Sequence, residues 1–267
     1  IINPWDLAYV SEKYKKENYG VSQEDLKQYF PVENVIKGLF KLVKSLYGIE
    51  VKIKKTKSVW HPDVRLYEIF DKNKNLRGKF YFDLYARPNK RGGAWMDECI
   101  QRRLKSNGSV QAPVAFITCN SSPATKTSPA FFTHYDVETL FHEFGHGLQH
   151  MLTKVDYAGI SGISGVEWDA VELPSQFMEN WCWEKDVLDT FAFHFETNQK
   201  LPNKLFKKLL ATKNYNSGMA LLRQIEFSLF DFLLHMNEEK KKKKLTETVL
   251  QSVRKETSLL AVHKNNK

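Results

Sequence analysis

The sequence predicts a mainly α-helical fold of the α+β class with one small antiparallel sheet. Two observations predict the helices, because apolar residues recur at helical spacing through most of the first 48 residues and again after residue 135. A third observation predicts the sheet, because alternating apolar and polar residues are confined to a section between residues 51 and 118. With 267 residues and 42% hydrophobic composition, the chain is long enough to bury a substantial core.

The helical part at the start of the chain is predicted from residues that mark helix ends. Ser22 is followed by acidic residues, which predicts a helix start, and Pro31 predicts the start of a second helix that ends at Gly48. We therefore expect residues 1–48 to form a helical segment and residues 49–267 to form a second region, with the two packed as one unit.

Four strands are predicted next, at residues 51–55, 64–70, 79–86 and 113–118. The turn at residues 71–75 predicts an antiparallel hairpin between the second and third strands, and the lysines of the first strand are typical of a sheet edge. The strand at 113–118 is a second candidate edge strand, since Pro113 lacks an amide hydrogen. A buried strand with alternating side chains fits the same pattern. An exposed edge could bind an extended peptide through main-chain hydrogen bonds.

Three helices are predicted after residue 135. Residues 136–152 carry a core-facing apolar stripe, and Asp136 is the candidate N-cap. The stripe consists of Leu140, Phe144, Leu148 and Leu152. Gly145 and Gly147 weaken a helix, which indicates close packing or binding against its backbone. Residues 165–181 predict another helix. Residues 221–236 are apolar on most faces, which predicts a helix buried among others.

The first of these helices contains His142-Glu143-Phe144-Gly145-His146, an H-E-x-x-H motif. Residues four apart lie on one helix face, so His142 and His146 can offer imidazole nitrogens to one cation. Glu143 lies close enough to accept a proton from a water molecule on that cation without being a ligand itself. Two unrelated histidines on a half-exposed helix would produce the same five-residue pattern. The motif alone therefore does not establish a metal site.

A catalytic zinc site needs a third protein ligand and an open position. The predicted helix at 165–181 supplies three candidate carboxylates, Asp169, Glu172 and Glu179. Glu172 and Glu179 share one helix face, but exposed acidic residues are common on helices. Periodicity therefore leaves the choice open.

The motif belongs to a longer pattern. It comprises F-H-E-F-G-H at 141–146, E-x-D-x-x-E-x-P-S-Q at 167–176, E-N-W at 179–181, and upstream segments at 80–87, 91–96 and 113–115. The pattern covers nearly all of the chain and resembles the thimet oligopeptidase family of zinc metallopeptidases, on the side of its bacterial oligopeptidase A branch. Two linked motifs with matching flanks are far more specific than the pentapeptide alone.

The resemblance implies a zincin-like catalytic core in which His142, His146 and Glu172 bind one zinc ion and Glu143 is the general base. The implied activity is hydrolysis of short peptides by metal-activated water, in either an endopeptidase or a dipeptidyl carboxypeptidase mode. Second-layer carboxylates orient imidazole ligands. The candidates for that role are Glu138, four residues before His142, and Asp169.

The resemblance also implies that this is part of a larger enzyme. The family uses an N-terminal helical half as the opposite wall of its substrate channel. A Gly/Tyr/His-rich segment, C-terminal to the matched region, supplies its oxyanion donor. We expect both portions to be missing here and the chain alone to be a poor catalyst. The alternative is a fragment that binds zinc and peptide with little or no catalysis.

Composition excludes several other classes of function. The net charge of +9 owes much to the lysines at 240–244, a run typical of a solvated turn, and no nucleic-acid fold motif accompanies it. Three cysteines without paired spacing favour reduced thiols and a cytoplasmic location. No apolar run is long enough to predict a membrane span. Structural zinc sites mostly use four ligands rich in cysteine, so such a site is disfavoured.

Overall fold

The computed structural model describes residues 3–236 and 245–259, and these fall into two units. The sheet unit comprises residues 21–206, and the helical unit comprises the residues before it and those from 207 onward. The predicted boundary after residue 48 does not coincide with this division. The lysine run at 240–244 lies outside the described residues.

A five-stranded sheet with the order β1-β2-β3-β7-β4 is the centre of the sheet unit. Its strands are β1 (Glu50–Lys54), β2 (Arg65–Phe70), β3 (Leu76–Tyr85), β4 (Trp95–Ile100) and β7 (Val114–Ser121), and a separate two-stranded ribbon pairs β5 (Arg103–Leu104) with β6 (Val110–Gln111). The hairpin of β2 and β3 is antiparallel, which confirms the prediction from the turn between them.

The sheet is mixed, so the prediction of a purely antiparallel sheet is wrong. Strands β3 and β7 pair in parallel, whereas the other pairings are antiparallel. Parallel neighbours need a crossover connection, and here the chain forms β4, β5 and β6 before it returns beside β3. These three short strands, and with them the crossover, were not predicted from the sequence.

The sheet edges are β1 and β4. Edge lysines correctly predicted the position of β1, but the strand predicted at 113–118 is internal, because β7 lies between β3 and β4. Pro113 precedes the first residue of β7, and its carbonyl accepts a hydrogen bond from the Lys79 amide at 2.9 Å. Because Pro113 lies just before the strand, its missing amide hydrogen does not remove a hydrogen bond between β7 and its neighbours.

The helices of the sheet unit are α2 (Gln23–Lys27), α3 (Val32–Tyr47), α4 (His134–Met151), α5 (Leu173–Glu179) and α6 (Lys185–Leu188). Ser22 caps α2 and Gly48 ends α3 in the left-handed conformation, as predicted. An aromatic cluster joins α3 and α4 to the sheet, because Phe40 of α3 contacts Phe80, Phe82 and Phe144. This packing places residues 32–47 in the same unit as the sheet.

The helical unit contains α1 (Leu7–Tyr19), α8 (Ser217–Met236) and α9 (Leu245–Thr257), and α7 (Asn203–Ala211) ends in it. The prediction that residues 221–236 are buried is wrong for the described residues, since Glu226 is the buried residue of α8. Its carboxylate pairs with Arg254 of α9, at 3.1 Å, while many apolar side chains of α8 are exposed. The described residues cover one side of α8 only. None of the described helices is both long and apolar enough to cross a bilayer.

Candidate metal centre

Helix α4 carries the H-E-x-x-H motif and begins at His134, earlier than predicted. Its N-cap is Thr133, whose hydroxyl accepts from the Asp136 amide at 3.1 Å, while the Asp136 carboxylate accepts from the Thr133 amide at 2.8 Å. Asp136 is therefore the third residue of a capping box, and the prediction of Asp136 as N-cap is wrong. Leu140, Phe144 and Leu148 are buried, which confirms these three members of the core-facing stripe, whereas Leu152 is the half-buried C-cap of the helix.

Helix α5 packs closely against the middle of α4 at Gly145. A Cβ atom on Gly145 would lie 2.5 Å from the Pro174 carbonyl oxygen and 2.6 Å from the Ser175 Cα. These are backbone atoms, so the first turn of α5 approaches α4 as closely as it does only because residue 145 is glycine. The sequence prediction of close packing at this glycine is confirmed.

The contact brings Glu172, the residue before α5, to the histidines of α4. Ser175 holds its carboxylate, because the Ser175 hydroxyl donates to Glu172 Oε2 at 2.7 Å. The predicted helix at 165–181 begins only at Leu173, and residues 168–172 form turns. Positive φ angles at Gly162 and Gly165, of 67° and 75°, belong to the loop that precedes these turns.

Gly145→Ala should therefore disturb the position of Glu172. We expect it to destabilise the chain by about 1–3 kcal/mol, as overpacking against fixed atoms does, and to weaken zinc binding. The measurements are the denaturation midpoint and the zinc affinity. Gly147→Ala is the matched control on the same helix, since its Cβ would meet only side-chain ends, Ile117 Cδ1 at 3.0 Å and Met151 Cε at 3.2 Å. Equal behaviour of the two variants would contradict the role of Gly145.

Three potential ligand atoms converge between α4 and α5. His142 Nε2 and His146 Nε2 each lie 3.2 Å from Glu172 Oε2, and one ligand atom from each residue lies within 4.8 Å of the others. Two ligands on a tetrahedral zinc ion, each about 2.0–2.2 Å from it, are about 3.3 Å apart. The spacing of nitrogen and oxygen donors therefore fits zinc.

Glu179, on the last turn of α5, orients one of the imidazoles. Its Oε1 lies 2.6 Å from His142 Nδ1, which directs His142 Nε2 towards Glu172. Among the described residues, neither of the two carboxylates that the sequence favoured hydrogen-bonds to His142 or His146. Glu138 accepts a hydrogen bond from Trp183 Nε1 at 2.6 Å, and Asp169 is exposed. The signal that could have identified Glu179 was its spacing of seven from Glu172, which repeats the same helix face.

Glu179→Ala should weaken zinc binding about 10- to 100-fold, the usual effect of removing the partner of a histidine ligand. The measurement is competition for zinc with a chelator of known affinity. Asp169→Ala is the control because it removes an exposed carboxylate from the same segment. An unchanged affinity in Glu179→Ala would show that its contact with His142 does not support metal binding.

Glu143 lines the same cleft as the three potential ligands but is not one of the converging residues. Its side chain is buried, and burial raises the pKa of the carboxyl above its ordinary value, opposed by His142 and by a backbone hydrogen bond from Met96. Burial lowers the pKa of His146, which favours the neutral imidazole that a metal ligand requires. The site thus combines an imidazole, His146, whose neutral form is favoured by burial with a carboxylate that holds a proton more readily than usual.

A cleft of about 670 Å³ opens over these groups. One wall is Ala94, Trp95 and Met96 at the start of β4, and the other consists of residues from the loop and turns between α4 and α5. His142, Glu143, His146 and Glu172 lie between the walls. The two further histidines of α4 are structural, because His134 Nε2 and His150 Nε2 bond to the carbonyls of Cys182 and Ile100 at 2.9 and 3.0 Å.

Comparisons with known proteins find relatives over most of the chain. The sequence model described as peptidase family M3 matches residues 1–267. The chain is 58% identical to oligopeptidase A of Escherichia coli (strain K12) over 88% of this chain and 34% of that protein. It is 46% identical to the chloroplastic/mitochondrial organellar oligopeptidase A of Arabidopsis thaliana, over 86% and 30%. It is 34% identical to dipeptidyl carboxypeptidase of Escherichia coli (strain K12), over 88% and 34%. The chain thus spans about a third of the length of these relatives.

Proposed function

The chain belongs to peptidase family M3, and from this premise we propose that it is the metal-binding part of a zinc-dependent oligopeptidase with a zincin-like core. His142, His146 and Glu172 would hold one zinc ion, and Glu143 would act as general base. The observation that carries the proposal is the convergence of two imidazole nitrogens on one Glu172 oxygen, with a buried carboxylate beside them in one cleft.

The chemistry divides between the ion and the protein. When bound, zinc supplies a Lewis acid that lowers the pKa of a coordinated water and polarises a carbonyl. Glu143 accepts the proton of the attacking water and passes it to the leaving amine. Glu179 keeps the His142 ring in the orientation that the ligand set needs.

The edge strand β4 is the proposed binding surface for the peptide. The strand is hydrogen-bonded on one side to β7. Its first two residues, Trp95 and Met96, and the preceding Ala94 line the cleft. An extended peptide could add to its free edge through main-chain hydrogen bonds, which depend little on side-chain identity. This role replaces the one that the sequence analysis considered for residues 113–118. Because one relative is named dipeptidyl carboxypeptidase, the proposal includes both cleavage modes.

A second candidate function is a module that binds zinc and peptide with little turnover. The observation that favours it is the span of the chain, which covers 34% of the length of oligopeptidase A from Escherichia coli. Groups that complete the active site, such as an oxyanion donor, and the opposite wall of a channel would then come from further portions of a longer protein.

One experiment separates the two candidates. The chain is loaded with one equivalent of zinc and incubated with a quenched-fluorescence peptide, with a chelator-treated sample as control. Cleavage that depends on zinc supports the peptidase, and peptide binding without cleavage supports the binding module.

The cytoplasmic location remains a prediction, because the relatives carry both cytosolic and organellar names.

A further inference from the structure

The loop of residues 159–166 forms part of the wall opposite β4. Ile163 and Gly165 line the cleft, and the loop connects α4 with the turns that lead to Glu172. Its own backbone bonds are long: the Ser164 amide lies 3.2 Å from the Ser161 carbonyl, and the Val166 amide lies 3.4 Å from that of Ile163. Glycines at 159, 162 and 165 add conformational freedom. The loop therefore depends on outside contacts for a defined position.

Three polar side chains supply such contacts in a closed ring. The Ser164 hydroxyl donates to Glu98 Oε2 at 2.7 Å, Gln101 Nε2 donates to Glu98 Oε1 at 2.9 Å, and Gln101 Nε2 also donates to the Ser164 hydroxyl at 2.7 Å. Both oxygens of Glu98 are used. Hydrogen bonds to a charged group are stronger than neutral ones, which makes Glu98 the strongest acceptor of the ring.

The ring is anchored to the rigid part of the sheet unit. Glu98 lies on β4 and pairs in register with Ala115 of β7, which is fully buried. His150 adds a floor under the loop, since its buried ring bonds to the Ile100 carbonyl and a Cβ on Gly162 would lie 2.5 Å from His150 Nδ1. The loop, which forms one wall of the cleft, is thus hydrogen-bonded to the second half of β4, and the first residues of β4 form the other wall.

We propose that Glu98 is a positioning residue that, through Ser164 and Gln101, holds the loop of residues 159–166 against β4 and so sets the place of Ile163 and Gly165 along the peptide-binding cleft. The part that concerns peptide binding rests on the proposed function. Glu98 forms no hydrogen bond with the candidate ligands or with Glu143 among the described residues, and its longer contact, 4.0 Å to His150 Nδ1, reaches the side chain that lies under the loop. Its effect on the cleft therefore passes through the loop and the His150 ring beneath it.

The first test is amide hydrogen exchange in the full chain without metal, compared between wild type and Glu98→Ala. Exchange at residues 161–166 should become about 5- to 30-fold faster, as expected when a local opening equilibrium loses one or two hydrogen bonds. Exchange in α4 should not change. Asp97→Ala is the matched control, because Asp97 is an exposed acid next to Glu98 on the same strand. Unchanged exchange at the loop in Glu98→Ala would overturn the proposal.

Exchange rates of the double variant show whether Glu98 acts through the hydrogen bonds of the ring or through a general loss of stability. If Glu98 acts through Ser164, Ser164→Ala should raise the exchange rates similarly, and the double variant should add little to either single change. Ser164→Thr keeps the hydroxyl and should restore slow exchange. Additive effects, or a failure of Ser164→Thr to restore protection, would overturn the assignment of the ring.

The second test concerns the cleft and uses the zinc-loaded chain in a Glu143→Gln background, where a bound peptide is not consumed. Glu98→Ala should raise the Kd of a fluorescent peptide about 5- to 30-fold, with zinc content unchanged. Faster loop exchange with an unchanged Kd would overturn the positioning role. A wild-type chain that binds no zinc would contradict the proposed function, while the exchange test of the ring would still give its answer.

Discussion

Replacing His146 by alanine should reduce the zinc content of the purified chain from about one ion to nearly none. The imidazole is largely buried, and its Nε2 lies 3.2 Å from Glu172 Oε2, so no mobile side chain can easily take its place. A site with three protein ligands loses one of them outright, and histidine supplies a strong nitrogen donor. Metal analysis of extensively dialysed protein measures the effect.

Three further variants make this test specific. His142→Ala should behave like His146→Ala, whereas Glu172→Gln should weaken binding less, because the amide oxygen can still coordinate. His61→Ala is the control, since His61 belongs to the same unit and its ring nitrogen accepts a hydrogen bond from the amide of the neighbouring Asp63. Undiminished zinc in His146→Ala would exclude the proposed ligand set.

Glu143→Gln should retain zinc and lower peptide turnover by about 10²- to 10⁴-fold, the usual effect of removing a general base. The amide has nearly the same shape, so it should fit the buried position, but it does not accept the water's proton. The measurement is turnover of a quenched-fluorescence peptide per zinc ion bound. Glu167→Gln, an exposed neutralisation in the segment before Glu172, is the control. Loss of metal in Glu143→Gln would mean that this carboxylate is a ligand or a structural group.

Local signals predicted the helices well wherever the controlling residues are close in sequence. Ser22 and Gly48 mark helix ends through their own backbone chemistry, and the apolar stripe of α4 reports a face that is buried by the sheet. His142 and His146 were recognised because residues four apart share a helix face, and Glu143 was recognised from its place in the H-E-x-x-H motif. Glu172 was selected by resemblance, since periodicity left three carboxylates open.

Features that depend on distant parts of the chain were missed. The mixed sheet follows from where the chain returns after β4–β6, and no residue in β3 or β7 encodes that path. The spacing of Glu179 from Glu172 was a weak signal, and the contact of Glu179 with His142 depends on the packing of α5 against Gly145. The burial of α8 was predicted from composition, but burial depends on partners, and the described residues supply them on one side only.

Because α5 packs closely against α4 at Gly145, a metal ion in the candidate site would link two helices, and α4 is held more firmly in the core than α5. Helix α4 is fixed in the core by Leu140 and Phe144, whereas α5 leaves Leu173 and Phe177 exposed. An ion shared by the two helices would therefore restrain mainly α5, by closing the loop between His146 and Glu172. The entropy of closing such a loop grows only with the logarithm of its length. The connection between the helices is consequently free to vary in length at little thermodynamic cost, provided that Gly145 and the first turn of α5 still meet.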